Sequence, residues 1–244
     1  MIWKTFAGRC IYQSTEGTRV LQNPLFRWLQ FNSKALQTVL CRFAPHRPQL
    51  NYLRYLIQSV QQKPQNCCML GLGGGGAAHA LSPIIADRLV IVEYSAEVID
   101  LAKRFFMVDK LKNIDIIHDE ASNYLNNCRR KFDHLLIDLY TAHSFPEQCA
   151  NPDFFARSKE LLAPDGILAV NLANSREHLS IFQLIQEQFL RSTVVLPVPD
   201  SANIIVFARN SETINPFLDV LKKSRKLKQL TWSSQWGYVA RVKR

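Results

Sequence analysis

The run Gly71-Leu72-Gly73-Gly74-Gly75-Gly76 constrains the fold more than any other feature of this sequence. It continues from the apolar segment 67–72 and leads into 77–81, which predicts a buried strand that turns tightly into a helix. Glycine is needed where a turn is tight and where a ligand approaches the backbone without an intervening Cβ. The helix amino terminus adds unpaired N–H donors that suit a polar or anionic group. The run therefore predicts a strand–turn–helix that binds a nucleotide.

Short apolar strands and helices alternate along the chain from residue 67 to residue 208. Strands are predicted over 67–72, 89–93, 114–117, 132–139, 166–172, 194–196 and 204–208. Helices are predicted over 77–81, 95–106, 121–127, 152–162 and 177–190. Strands separated by helices pair in parallel through right-handed crossovers. We therefore predict an α/β fold with a doubly wound, Rossmann-like sheet.

The sequence before residue 67 has a different pattern. Residues 17–21 and 26–31 are strand candidates, and residues 50–62 have the one-sided apolar spacing of a helix. We divide the chain into a small β-rich region over 1–48, a nucleotide-binding α/β domain over 49–210, and a C-terminal helix with a basic tail over 211–244.

The net charge of +10 is concentrated at the two ends of the 244-residue chain. Residues 1–66 contain nine Lys and Arg against one acid (+8), and residues 211–244 contain eight against two (+6), which leaves the middle at −4. Basic ends attract anionic partners such as nucleic acid. No RNA-binding motif accompanies them, so we favour a solvated cationic surface without excluding nucleic acid.

Other features exclude several classes of protein. No apolar run reaches the roughly eighteen residues of a membrane span, and the first residues lack the apolar core of a signal peptide. The six cysteines form no CxxC pair, and the six histidines lack metal-ligand spacing. We expect a cytoplasmic protein with reduced thiols, no bound metal and no membrane segment.

Acidic residues follow three of the predicted strands. Glu93 ends the second strand, where a carboxylate can accept hydrogen bonds from both ribose hydroxyls. Asp119 and Glu120 follow the third strand, where an acid can bind the adenine amine, and Asp138 ends the fourth. The helix end, Pro/Gly turn and strand over 161–168 are typical of methyltransferase-type folds. The glycines and Glu93 alone also fit a nicotinamide site, but this ring of acids suits a cationic sulfonium better than a pyrophosphate.

These motifs resemble the spermidine synthase family over about residues 15–210. The resemblance rests on Gly71–Gly76, Glu93 in Val92-Glu93-Tyr94, Glu120-Ala121-Ser122-Asn123-Tyr124-Leu125, Asp138-Leu139-Tyr140-Thr141, Gln37 and Tyr52. It implies transfer of an aminopropyl group from S-adenosylmethionine or its decarboxylated form to a small-molecule amine. It also implies a homodimer assembled through the N-terminal strands.

The resemblance assigns roles to individual residues. The donor would be bound by Gln37, Gly71, Gly73, Gly74, Gly75, Glu93, Asp119 and Glu120. Catalytic roles fall to Asp138, Tyr140 and Thr141, and the acceptor would contact Tyr52 and His143. No metal is implied.

Three departures from the family pattern bear on the reaction. Gly74 replaces the aspartate that engages the amine of the decarboxylated donor, and leaves room for a carboxylate. Thr141 replaces an aspartate and cannot serve as a base near neutral pH. Arg54 follows Tyr52 where the family has a glutamate, and a cation there would repel a diamine. An S-adenosylmethionine-dependent methyltransferase and a non-catalytic nucleoside-binding homologue therefore stay open as alternatives.

Overall fold

A computed structural model describes residues 2–32, 36–140, 144–190, 192–223, 225 and 227–243. A four-stranded antiparallel sheet comes first, with its strands in chain order: β1 (Arg9–Gln13), β2 (Arg19–Gln22), β3 (Phe26–Gln30) and β4 (Leu36–Cys41). A short 3-10 helix precedes it, Ile2–Lys4. The sequence predicted β2 and β3. It did not predict β1 and β4, because neither strand alternates regularly between polar and apolar residues.

Two short helices connect this sheet to the rest of the chain: α1 (Asn51–Leu56) and α2 (Gln58–Gln62). The sequence predicted one continuous helix here. The helices are separated at Ile57, whose ψ of 1° is not helical. The predicted apolar face is buried on both sides of the break, since Leu53, Leu56 and Val60 are all inaccessible to solvent.

A nine-stranded mixed sheet forms the centre of the protein, in the order β12-β13-β10-β11-β9-β8-β5-β6-β7. Its strands are β5 (Cys67–Leu70), β6 (Leu89–Glu93), β7 (Ile114–His118), β8 (Phe132–Ile137), β9 (Leu162–Leu172), β10 (Thr193–Pro197), β11 (Ile204–Arg209), β12 (Leu227–Ser233) and β13 (Gly237–Val242). Strands β5 to β9 pair in parallel. Strand β11 is antiparallel to both β9 and β10.

Helices cover both faces of this sheet, and two apolar cores fill the space between. The helices are α3 (Gly76–Leu81), α4 (Ala96–Phe106), α5 (Ala121–Asn127), α6 (Pro152–Glu160), α7 (His178–Phe189) and α8 (Asn215–Lys223). This arrangement confirms the predicted α/β class with a small N-terminal β region. Within the ranges described above, no helix combines the length and the apolar character needed to cross a membrane.

No strands were predicted in the chain after α8, although residues 232–238 were expected to pack on a sheet edge or on a partner subunit. Strands β12 and β13 form an antiparallel hairpin, and β13 runs parallel to β10 at Val194 and Val195. Because Trp232 and Tyr238 lie opposite each other in this hairpin, their rings meet edge to face at 5.0 Å. The β12–β13 hairpin therefore extends the edge of the central sheet.

Hydrogen bonds at both ends of helix α4 hold the N-terminal sheet against it. Glu97 accepts hydrogen bonds from the Tyr12 hydroxyl at 3.0 Å and from the Thr18 hydroxyl at 3.3 Å. Arg27 donates to the carbonyl oxygen of Phe105 near the other end of the same helix. These contacts fix the position of β4, which contributes to the site described below.

Replacing Glu97 with alanine should loosen this attachment. We expect a loss of about 1–2 kcal/mol in the free energy of unfolding, because two hydrogen bonds to a charged, half-buried acceptor disappear. Amide exchange in β1 and β2 should also become faster. Asp100→Ala is the matched control, since it removes only an exposed ion pair with Arg104 on the same helix and should change stability by less than about 0.5 kcal/mol. Equal losses of unfolding free energy in Glu97→Ala and Asp100→Ala, measured by denaturant unfolding, would show that Glu97 does not hold the N-terminal sheet on α4.

Candidate active site

A cavity of about 520 Å³ lies at the carboxyl edge of the central parallel strands. The predicted site residues that line it are Gln37, Tyr52, Gly71, Gly73, Glu93, Asp119, Glu120, Asp138 and Tyr140. Gly74 and Gly75 are not part of its surface. Thr141 and His143 lie outside the residues that the structure describes. One cavity thus collects residues from the glycine turn, from four strand ends, from α1 and from β4.

The glycine turn comes into very close contact with the end of β8. Gly71 has a φ of +97°, and a Cβ at this position would lie 2.3 Å from the carbonyl oxygen of Asp138. No larger residue fits there without moving one strand away from the other. Gly71 is therefore required by the packing of β5 against β8 as well as by the turn.

Gly74 faces the N-terminal sheet, and the space beside it is filled. Its N–H donates to the Thr38 hydroxyl at 2.8 Å, and a Cβ at position 74 would lie 2.9 Å from Cγ2 of Thr38. Thr38 is only 4% exposed. The expectation that Gly74 leaves room for a carboxylate is therefore wrong on the side of the N-terminal sheet, because the side chain of Thr38 occupies that space.

Glu93 is held rigidly at the end of β6. One carboxylate oxygen accepts the N–H of Leu72 at 2.9 Å, and the other accepts the N–H of Ser95 at 3.0 Å. The residue is 7% exposed and forms part of the cavity surface. A carboxylate offers about four acceptor positions, so each oxygen can still accept a hydroxyl hydrogen from a ligand.

The two acids after β7 are engaged with the start of α5. Glu120 is the N-cap of this helix and accepts the N–H of Asn123 at 3.0 Å. Burial alone would raise the pKa of Glu120, but hydrogen bonds from Ser122, Asn123 and Cys149 lower it. Asp119 accepts hydrogen bonds from the backbone N–H of Glu120 and the side-chain amide of Asn123. Both acids are thus ordered by the helix while facing the cavity.

Asp138 follows β8 and receives one hydrogen bond on each carboxylate oxygen. Tyr52 donates its hydroxyl to Oδ2 at 2.9 Å, and the side-chain amide of Asn171 donates to Oδ1 at 2.8 Å. Burial raises the pKa of Asp138, and these two hydrogen bonds oppose that effect. Burial and the nearby Asp138 also raise the pKa of Tyr52 well above its ordinary value. Tyr52 therefore stays a neutral donor at neutral pH.

Tyr140 joins two loops at the cavity wall. Its hydroxyl oxygen accepts the N–H of Ala173 at 2.6 Å and the N–H of Asn174 at 2.9 Å. Burial raises its pKa, so the phenol is neutral. The geometry gives Tyr140 a firm structural position and leaves its hydroxyl hydrogen available to donate.

The charge of the cavity is opposite to the charge of the chain. Five carboxylates line it, from Glu93, Asp119, Glu120, Asp138 and Asp200, and its described lining contains no Lys, Arg or His. Arg54 is exposed and absent from the cavity wall. The expectation that Arg54 would repel a diamine is wrong, because two residues along α1 turn the side chain about 200° away from Tyr52. The cavity suits cations and disfavours a pyrophosphate.

Sequence reasoning missed several polar residues of this cavity, among them Thr38, Asn171, Asp200 and Asn203. Asn171 had a visible signal, because it interrupts the apolar run of β9. Thr38 and Asn203 had none, since their positions follow from packing between segments that are distant in the sequence. No group of His, Cys, Asp and Glu that could hold a metal ion occurs in the described part of the chain.

Comparison with known proteins shows the family to which the chain is similar. The family model of the spermine/spermidine synthase domain matches residues 52–207. The polyamine aminopropyltransferase of Vibrio vulnificus is 26% identical over 162 residues, which span 62% of this chain and 54% of that protein. The chain thus matches only about half the length of this relative.

Solved structures show the fold alone at their level of identity. Spermidine synthase from Thermotoga maritima superposes with a TM-score of 0.64 at 18% identity, over 83% of this chain and 73% of that one. Human methyltransferase-like protein 13, in complex with SAH, superposes with a TM-score of 0.57 at 16% identity, over 65% of this chain and 82% of that one. The predicted methyltransferase-type fold is confirmed. Because the family model covers more than half of its residues, this chain belongs to the spermine/spermidine synthase family.

Proposed function

We propose that the cavity binds the adenosyl sulfonium of S-adenosylmethionine or its decarboxylated form, and that the protein transfers an aminopropyl group from it to an amine. The observation that carries this proposal is the cavity charge: five carboxylates and no basic residue among its described lining. Both the sulfonium and an ammonium acceptor are cations, and a nearby opposite charge stabilises each of them. Membership of the family supports the same reaction.

The nucleoside would lie across the glycine turn. Glu93 would accept hydrogen bonds from the ribose diol, because its carboxylate is already oriented by Leu72 and Ser95. The glycines allow the backbone to approach the ligand closely. Asp119 and Glu120, at the next strand end, would contact the adenine. The donor would therefore be bound by residues whose positions are fixed before it arrives.

The transfer is an in-line displacement at carbon. The acceptor nitrogen attacks the aminopropyl carbon bonded to sulfur, a C–N bond forms, and the C–S electron pair passes to sulfur to give a neutral thioether. The proton that the nitrogen must lose goes to Asp138 or, through it, to water. Asp138 suits this role because burial raises its pKa and no cation of the described lining neutralises it.

Methyl transfer from S-adenosylmethionine is the second candidate. The specific observation in its favour is the neutral contact between Gly74 and Thr38, at the position where the family resemblance implies an acid for the donor amine. The decarboxylated donor would therefore find no acid for its amine at this position, whereas methyl transfer requires none there. The solved human methyltransferase-like protein 13 holds SAH on the same fold.

Binding of the ribose diol can be tested with Glu93→Gln. We expect affinity for methylthioadenosine to fall roughly tenfold to a hundredfold in calorimetry, because a hydrogen bond to a charged acceptor is lost. An analogue lacking the ribose 2′-hydroxyl should lose affinity with the wild-type protein and lose little more with the variant. If the free-energy loss from Glu93→Gln and the loss from removing the 2′-hydroxyl are additive, Glu93 does not contact the diol. Asn210→Leu is the control for general destabilisation, because the Asn210 side chain donates to the carbonyl oxygens of Leu162 and Ala163 and is not part of the cavity wall.

The two transfers release different products. With the decarboxylated donor and a diamine, we expect methylthioadenosine to accumulate, whereas methyl transfer from S-adenosylmethionine would release S-adenosylhomocysteine. Asp138→Asn should slow the productive reaction by about 10²–10⁴ and leave donor binding within about twofold of the wild type. Binding of both donors without either product would favour a non-catalytic homologue.

A further inference from the structure

Two asparagine side chains extend the hydrogen bonding of Asp138 across the sheet. Asn171, on β9, donates its side-chain amide to Asp138 at 2.8 Å and is 2% exposed. Its carbonyl oxygen accepts the side-chain amide of Asn203, also at 2.8 Å. Asn203 directly precedes β11, and Ile205 pairs with Asn171, so the two asparagines are diagonal neighbours on adjacent strands. The chain of contacts runs from Asn203 through Asn171 to the carboxylate.

The direction of this chain matters, because the two ends of an amide side chain are chemically different. The NH₂ group donates and the oxygen only accepts. While Asn203 donates to the oxygen of Asn171, the NH₂ group of Asn171 must face Asp138. Without that donor, the amide of Asn171 loses one of the two hydrogen bonds that fix its orientation. Asn203 thus selects the orientation of Asn171 without touching Asp138.

We propose that Asn203 is a positioning residue, which acts through Asn171 to hold the Asp138 carboxylate in the orientation that receives the acceptor amine. This inference rests on the proposed function. The relay consists of neutral groups, and a lysine or arginine in the same place would cancel the charge that attracts the acceptor. Amides orient and stabilise the carboxylate and leave its full negative charge to the ammonium.

The titration of Asp138 has to be followed at its own carboxyl group, because four other carboxylates line the same cavity. The titratable groups that face it within the described residues are Tyr52 from α1 and Tyr140 from its own loop. Burial raises the pKa of both tyrosines, so neither changes charge where a carboxylate titrates. Loss of the relay removes stabilisation of the charged form. The pKa of Asp138 should therefore rise further when Asn203 no longer donates.

The test is Asn203→Leu, which keeps the size of the side chain and removes the donor. We expect the acid limb of kcat/KM to move to higher pH by about half a unit to one unit, with kcat/KM at neutral pH about threefold to tenfold lower. The affinity for methylthioadenosine should stay within about twofold of the wild type. Asn203→Gln retains a donor, so the acid limb of kcat/KM in this variant should lie between those of the wild type and Asn203→Leu.

Asn210→Leu is the matched control. Asn210 lies just beyond the other end of β11 and donates to the carbonyl oxygens of Leu162 and Ala163. Its replacement should lower stability without moving the acid limb. An equal shift in the Asn203→Leu and Asn210→Leu variants would reveal a general effect and overturn the relay, as would an Asn203→Leu limb that coincides with the wild type.

A second readout separates this inference from the proposed function. The Asp138 carboxyl carbon can be titrated by NMR in the free protein, where no turnover is required. An upward move in Asn203→Leu, absent in Asn210→Leu, supports the relay even if no transfer is detected, in which case only the proposed function fails. An unmoved Asp138 titration in an active enzyme overturns the relay and leaves the proposed function standing.

Discussion

The carboxylate of Glu93 is the contact on which the rest of the site depends. It accepts the N–H of Leu72 and the N–H of Ser95, and so joins the glycine turn after β5 to the start of α4. Gly71 makes the same region compact from the other side, because its missing Cβ lets β8 come close. The floor of the cavity is therefore fixed by two constraints that act before any ligand is present. Side chains from neighbouring elements then complete the cavity around this floor.

The cavity wall and the chain as a whole carry charges of opposite sign. The chain has a net charge of +10, yet the described cavity wall contains carboxylates and no basic side chain. Burying acids without cations is costly, and the structure offsets part of this cost with neutral donors, such as Tyr52 and Asn171 on Asp138. A bound cation would supply the remaining compensation.

The sequence was informative wherever function depends on local chain geometry. The glycines at 71–76 and Glu93 could be placed from the sequence, because each lies at the end of an apolar segment that predicts a strand. Thr38 could not be placed, since its contact with Gly74 depends on how two sheets pack together. The same limit led to the wrong expectations for Gly74 and Arg54, which concerned the surroundings of a residue. The β12–β13 hairpin was missed because its strands are mixed in polarity.

One wall of the cavity comes from a separate sheet, and this has a thermodynamic consequence. Thr38 touches the glycine turn from β4, while Glu97 attaches the same sheet to α4. Occupation of the cavity and attachment of the first forty residues are therefore linked equilibria. A ligand that contacts both walls should protect the amino-terminal segment from proteolysis. By reciprocity, any partner that pulls this segment away from the α/β body should drive the ligand out.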